Sequence, residues 1–249
     1  MAGGKAHRLG AQMFGASVRG PRNEQAGRNN QDAWLRARGS AGHLIVVCDG
    51  LGSRVSSEVG ARAACVAVRR AVSLWPGVAS GADPQLLARL VEVIWRLVLA
   101  PRKAEECATT CMFALREPGG HLLIAGLGDG LALLRRADGT LLTRTGRRED
   151  DFANETCALG TPHRPSDWWV MIDPPASGRT VVLATDGVSD DLDPTRLDAF
   201  AQWLAAEVGS LSGSARGRRL RRELQRWPVP HHVDDKTVAV MVEPVEVAS

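Results

Sequence analysis

Two stretches of this sequence run apolar almost to their last residue and then stop at Asp-Gly. Leu44 to Cys48 is closed by Asp49-Gly50, and Val181 to Thr185 by Asp186-Gly187. A looser third, Leu122 to Gly128, is closed by Asp129-Gly130. Short apolar runs rich in β-branched residues, bounded by turn residues, read as buried strands. Strands of this kind force a layered core and can each deliver one carboxylate to a common edge. The glycine lets the chain turn sharply and lets a backbone carbonyl approach a ligand closely. A single Asp-Gly after a strand is ordinarily a turn. Turn chemistry does not explain why the acid closes the apolar run each time.

Two further acidic positions sit beside apolar segments: Asp32 in Gln31-Asp32-Ala33-Trp34, and the pair Asp234-Asp235 just before Thr237 to Val242. Carboxylates gathered in one pocket raise one another's pKa and cannot all ionise without compensation. Hard divalent cations provide it, because Mg²⁺ and Mn²⁺ prefer oxygen ligands and leave several positions to water. Two such ions about 3.5–4 Å apart would generate a metal-bridging hydroxide at neutral pH and clamp a phosphoryl group for in-line attack.

The rest of the chain supplies layers to carry such an edge. Val59, Ala63, Val66, Ala67, Ala71 and Leu74 recur at helical steps from Ser56 to near Pro76. Leu86, Leu87, Leu90, Val91, Ile94, Leu97 and Val98 mark a second helix, with Asp83 as N-cap, Pro84 in the first turn and Pro101 beyond the end. Strands are expected over His43–Cys48, Thr109–Leu115, His121–Ala125, Leu131–Arg135, Thr180–Thr185 and Thr237–Val242, with a turn at Pro118-Gly119-Gly120. Pro194–Val208 reads as another helix. Ser17–Asp32 reads as a loop or strand edge, Arg144–Asp173 as a long surface excursion, and Ser210–Gly217 as a flexible connection to a short Arg-rich helix. Helices and strands come in blocks, which favours an α+β layered domain over a doubly wound parallel one.

With 249 residues and no clear internal boundary, the chain is read as a single domain, residues 1–249. Its 31 basic and 28 acidic residues nearly balance, so it lacks the field of a nucleic-acid-binding domain. The basic excess is local: Arg216, Arg218, Arg219, Arg221, Arg222 and Arg226 form a cluster that reads first as a solvated helix face, and second as a site for phosphate, lipid headgroups or an acidic partner. Cys48, Cys65, Cys107, Cys111 and Cys157 are scattered and form no CxxC pair, which argues against a disulfide framework or structural zinc. The most hydrophobic stretch, Leu86 to Ala100, is interrupted by Arg89, Glu92 and Arg96 and does not suit a bilayer. No signal-peptide core opens the sequence, and a cytoplasmic setting with no membrane partner is expected.

Read in order, Asn30-Gln31-Asp32-Ala33, Asp49-Gly50-Leu51-Gly52-Ser53 with Glu58 to Ala61, Ala108-Thr109-Thr110, Gly128-Asp129-Gly130, Asn154-Glu155-Thr156, Ala184-Thr185-Asp186-Gly187 and Asp234-Asp235-Lys236-Thr237 resemble the motifs of the PP2C (PPM) metal-dependent serine/threonine phosphatases, most closely the compact bacterial branch. The resemblance spans about residues 15–242. It implies an α-β-β-α sandwich of two antiparallel sheets flanked by helix pairs, with metals at one end of the sheets. It also implies roles. Asp49 would bridge two Mn²⁺ or Mg²⁺ ions, the Gly50 carbonyl would bind one, and Asp186 and Asp234 would bind the other. Asp129 would help Asp186 hold a third, weaker ion. Asp32 would orient metal-bound water from behind.

Two positions depart from the family pattern. Where the family often places a phosphate-binding arginine, five residues before Asp32, this chain has Gly27; Arg28 and Arg22 are the nearby candidates for that contact. Leu51 stands where other members carry a proton-donating histidine, which would leave leaving-group protonation to metal-bound water. The expected function is hydrolysis of phosphoserine and phosphothreonine in substrates of a serine/threonine kinase, without a covalent intermediate. The rivals are a catalytically weak module that binds a phosphorylated partner or regulates a kinase, and a phosphohydrolase for small phosphoesters. His231-His232 are not expected as ligands in a carboxylate-rich site. Cys48 lacks the arginine-bearing phosphate loop of a cysteine phosphatase and is expected to pack as a small core residue.

Overall fold

A computed structural model describes residues 10–145, 157–229 and 232–245. Two five-stranded antiparallel sheets face each other. One has the order β1 (Gln12–Val18), β10 (Lys236–Val242), β9 (Thr180–Ala184), β6 (Leu131–Arg135), β7 (Leu141–Thr145). The other has the order β2 (Asp32–Gly39), β3 (Gly42–Asp49), β4 (Cys111–Arg116), β5 (Leu122–Leu127), β8 (Trp169–Asp173).

Strand alternation builds three apolar interfaces from these residues. In β3, Ile45 and Val47 point between the sheets, where they meet Met13, Met112, Ile124, Val181 and Met241. Leu44, Val46 and Cys48 point the other way, onto α2 (Ser57–Leu74) and α3 (Pro84–Leu99). In β10, Ala239 and Met241 fill the inter-sheet layer, while Val238 and Val240 face Leu204, Leu220 and Leu224 on the outer helices. The layers are therefore helices, sheet, sheet, helices, the α-β-β-α sandwich expected above. Both faces of the central strands are covered, which is why their sequences run apolar without alternation.

The helix ends follow local chemistry. The Asp83 side chain accepts from the Gln85 N–H at 2.9 Å, and Pro84 occupies the first turn of α3. Some expectations need correction. Ser210–Gly217 is not a flexible connection, because α6 (Gly213–Gln225) begins inside it and buries Leu220 and Leu224. Ser17–Asp32 holds the end of β1 and a short helix, α1 (Pro21–Gln25). The described part of Arg144–Asp173 is not a surface excursion: Ala158, Leu159 and Trp168 are buried, and β8 closes an edge of the sheet. Asn154 to Thr156 and His231 lie outside the described residues. The Pro194–Val208 helix is broken into a 3-10 turn, α5 (Leu197–Trp203) and a wider π turn over Leu204–Val208.

The strand ends farthest from the Asp-Gly turns are locked by a buried ion network. The Arg179 side chain is fully enclosed and bonds Glu243 at 2.8 Å through both Nε and Nη2. It also reaches Asp173 at 3.1 Å and the carbonyls of Pro174 and Gly120 at 2.9 and 2.7 Å, so all five donors are used. Arg136 pairs with Asp173, and Arg116 with Glu243 at 3.0 Å. No helix among the described residues is long and apolar enough to cross a membrane.

Candidate active site

Asp49 ends β3, Asp186 opens the short helix α4 (Asp186–Ser189) just after β9, and Asp129 sits in the β5–β6 connection. All three emerge at the same end of the two sheets. Together with Asp234, which precedes β10, they line one cavity of about 210 Å³, whose wall also includes Gly50, Thr110, Arg22, Arg28 and Gln31.

The backbone around Asp49 is held from both sides. Its N–H donates to Thr110 Oγ1 at 2.9 Å, and its carbonyl accepts from the Thr110 N–H at 2.7 Å and from Thr109 Oγ1 at 2.8 Å. The glycine after each acid serves packing as well as turning. A Cβ on Gly50 would lie 2.7 Å from the Ser57 backbone, and one on Gly187 would lie 2.0 Å from the Asp235 carbonyl oxygen.

The Asp234-Asp235 pair divides its work. Asp235 is buried and accepts from the Gly20 N–H and the Gln31 N–H, each at 2.6 Å, and from Asn23 Nδ2 at 2.8 Å. It ties the 20–31 segment to the start of β10. Asp234 stays open to the cavity and lies 3.5 Å from Arg22 Nη1. Gln31 extends the tie through Asn23 Nδ2 at 3.1 Å and, via its own Nε2, to Ser57 Oγ at 2.6 Å. Asn23, Gln31 and Ser57 escaped sequence reasoning as site-building residues; the one local signal was the unusual acidic doublet they gather around.

Asp32 stands behind this front rank. It is buried, accepts from Thr185 Oγ1 at 2.9 Å, and leaves Oδ1 without a hydrogen-bond partner among the described residues. Burial, reinforced by Asp235 and Asp186, pushes its carboxyl up to about 8 against the opposing bonds from Thr237 and Thr185. Burial also raises Asp49 well above the ordinary carboxylate range, helped by the neighbouring charges of Asp32, Asp186 and Asp129. Asp234 rises for the same two reasons, burial first and then Asp186. Burial and, after it, mutual repulsion thus both act against ionisation of this cluster, and a cation held among the carboxylates would offset both.

The donor set suits hard divalent ions. Among the described residues, no three His, Cys, Asp or Glu side chains already converge into a closed shell. The cavity offers carboxylate and carbonyl oxygens, the ligands Mg²⁺ and Mn²⁺ prefer, rather than the nitrogen and sulfur ligands of a structural zinc site. His232 does not enter the cavity: Nδ1 lies 3.1 Å from Asp191 and Nε2 2.8 Å from the Asp234 carbonyl. Arg22 and Arg28 both reach the rim, Arg28 through a 3.4 Å bond to the Gly52 carbonyl. Cys48 is fully buried, and burial raises its thiol well above the usual value.

A family model described as Protein phosphatase 2C matches residues 19–227. The chain belongs to that family. It is a serine/threonine protein phosphatase of the metal-dependent type, a PP2C enzyme. Comparison with curated proteins finds no match. Solved structures share the PP2C fold. One is the catalytic domain of serine threonine protein phosphatase PstP in complex with two manganese ions, with 21% identity and a TM-score of 0.64 over 95% of this chain and 99% of that one. Another is the photosystem II phosphatase PBCP, with 17% identity and a TM-score of 0.65 over 95% and 100%. A third is PppA, described as a key regulatory component of T6SS in Pseudomonas aeruginosa, with 20% identity and a TM-score of 0.64 over 93% and 97%.

Proposed function

We propose that this PP2C enzyme hydrolyses phosphoserine and phosphothreonine in proteins phosphorylated by a serine/threonine kinase. The observation that carries the reading is the single cavity in which Asp49, Asp129, Asp186 and Asp234 face Arg22 and Arg28. Carboxylates alone would repel a phosphate; carboxylates facing two guanidiniums make a site that holds cations below and oxyanions above.

Asp49, the Gly50 carbonyl, Asp186 and Asp234 would hold the Mn²⁺ or Mg²⁺ ions, and Asp129 would help Asp186 with a further, weaker one. When bound, such ions supply an activated water and neutralise phosphoryl charge. The chain's own residues do the rest. Arg22 and Arg28 orient the phosphoryl group. Asp32, behind Asp49, positions the water. Asp235 keeps the 20–31 segment, and with it both arginines, in register with Asp234. Leu51 offers no proton, so the departing serine or threonine oxygen takes its proton from water.

The Gly27 departure motivates the rival, a catalytically weak module that binds a phosphorylated partner or regulates a kinase; Arg22 and Arg28 at the rim support the hydrolytic reading. The five free cysteines fit a reducing, cytoplasmic setting. The test is to titrate Mn²⁺ into metal-stripped protein while following phosphate release from a phosphothreonine peptide. Turnover that rises with Mn²⁺, vanishes in EDTA and is lost in Asp49→Asn is expected. Saturable Mn²⁺ binding without turnover would replace this reading with the binding module.

A further inference from the structure

Behind the wall that carries Asp234 lies a second cavity of about 560 Å³, larger than the acidic one. The two share that wall. Asn23, Gln31, Asp234 and Asp235 line the acidic side, whereas Glu24, Asn30, His232 and Lys236 line the other.

The chemistry of the second cavity is opposite in sign. Arg19, Arg221 and Lys236 bring three cationic side chains to it, against one carboxylate, Glu24, which Arg19 already meets at 3.5 Å. Arg221 is exposed on α6 and has no hydrogen bond or ion pair among the described residues. Lys236 is 3% exposed. Its ammonium has three donors, yet its single hydrogen bond among the described residues is a long one, 3.3 Å to the Asp234 carbonyl. Asp191, Asp235, Asp234 and Asp32 attract it at longer range, but none of these carboxylates accepts a hydrogen bond from it. A buried ammonium with unused donors is costly. Placed on a cavity wall, it is offset when an acceptor-rich ligand enters.

Val18, Leu224 and the Trp227 indole supply an apolar side to the same space. The volume falls within the range of about 300–1,000 Å³ typical of ligand sites, and exceeds what a bare oxyanion fills. We propose that this cavity binds a phosphate monoester through Arg19, Arg221 and Lys236, separately from the hydrolytic cavity, with the organic body of the ligand against Trp227. The fork of Arg221 matches a phosphoryl group's paired oxygens, and the buried ammonium provides a fixed point charge beneath it.

The experiment uses metal-stripped protein, in which the acidic cavity repels anions and turnover is absent. Inorganic phosphate and a phosphothreonine peptide are titrated separately by calorimetry. Saturable binding is expected, weakened roughly tenfold or more by Arg221→Ala and unchanged by Asp49→Asn. Tighter binding of the peptide assigns the site to phosphorylated side chains; binding as tight or tighter for inorganic phosphate assigns it to the free ion, and either supports an oxyanion site. Arg221 lies on the outer surface of a helix, so an unaltered melting temperature separates lost binding from lost folding; Lys236→Met provides the second variant. Absence of saturable binding to both probes overturns the proposal, as does binding that survives both substitutions or disappears with Asp49→Asn. None of these outcomes depends on whether the metal-loaded protein hydrolyses phosphoproteins.

Discussion

Asp32 and Asp49 are direct partners across the β2–β3 ladder, so two carboxylates sit side by side at one end of a sheet. Opposed residues of an antiparallel pair have Cα atoms only about 4.5–5.5 Å apart. Burial and this proximity raise both carboxyls, Asp32 from 3.8 to about 8 and Asp49 well above the ordinary carboxylate range.

The pH dependence follows. A carboxyl whose folded value exceeds its unfolded value contributes stability below the unfolded value and loses it as pH climbs to the folded one. Metal-free protein should thus melt at progressively lower temperature between about pH 4 and about pH 8. Mn²⁺ should flatten that slope, and Asp32→Asn should reduce it while lowering turnover. A metal-free melting temperature that climbs steadily across this window would contradict the argument.

The neighbouring acids Asp234 and Asp235 should respond in opposite ways. Asp234→Asn removes a cavity carboxylate whose contacts among the described residues are exposed Arg22 and the Asp235 N–H, which the amide oxygen can still accept, so Mn²⁺ affinity and turnover should fall with little change in melting. Asp235→Ala strips acceptors from Gly20, Asn23 and Gln31 and should cost about 3 kcal/mol of stability. Urea titration of both variants beside metal calorimetry separates the two roles.

For the arginines, Arg22→Ala and Arg28→Ala should each raise KM for a phosphothreonine peptide, by roughly tenfold for the one that carries the phosphate contact. Mn²⁺ affinity should barely move for Arg28→Ala. Steady-state kinetics at saturating Mn²⁺ identifies which arginine replaces the one missing at Gly27. Unchanged KM in both single variants and in the double variant would show that neither grips the substrate.

At the far end, Arg179→Met leaves Glu243 and Asp173 buried with fewer partners and should destabilise the fold by about 3–5 kcal/mol. The molecules that remain folded should keep normal Mn²⁺ affinity, because the network lies at the opposite end of the strands from Asp49. Denaturant midpoints with parallel calorimetry give both numbers.

Much of this was legible in the sequence because burial on both faces leaves a continuous apolar signature. β3 and β9 announced themselves by it, and their terminal acids fell where the strands end. β1 did not, since Gly15 and Ala16 interrupt its apolar character; Gly15 is small because a Cβ there would lie 2.8 Å from Trp34. β7 has half-exposed to exposed residues and β8 is largely half-buried, and both lie on sheet edges, where selection for apolar residues is weak. The cavity acids were nameable one by one, but Asp235 as an anchor was not. Its partners are up to 215 residues away, and no local pattern records such a bond.

That separation sets a schedule on the ribosome. β10 lies between β1 and β9, so both strands keep an open edge until residues 236–242 have been synthesised. The 20–31 segment lacks its anchor for the same interval, and the acidic cavity lacks Asp234. A nascent or truncated product ending before Asp234 is therefore no feeble phosphatase; it is a chain with two bare strand edges, open to mispairing and proteolysis. Catalytic competence arrives in one late step, with the strand that welds the beginning of the chain to its middle.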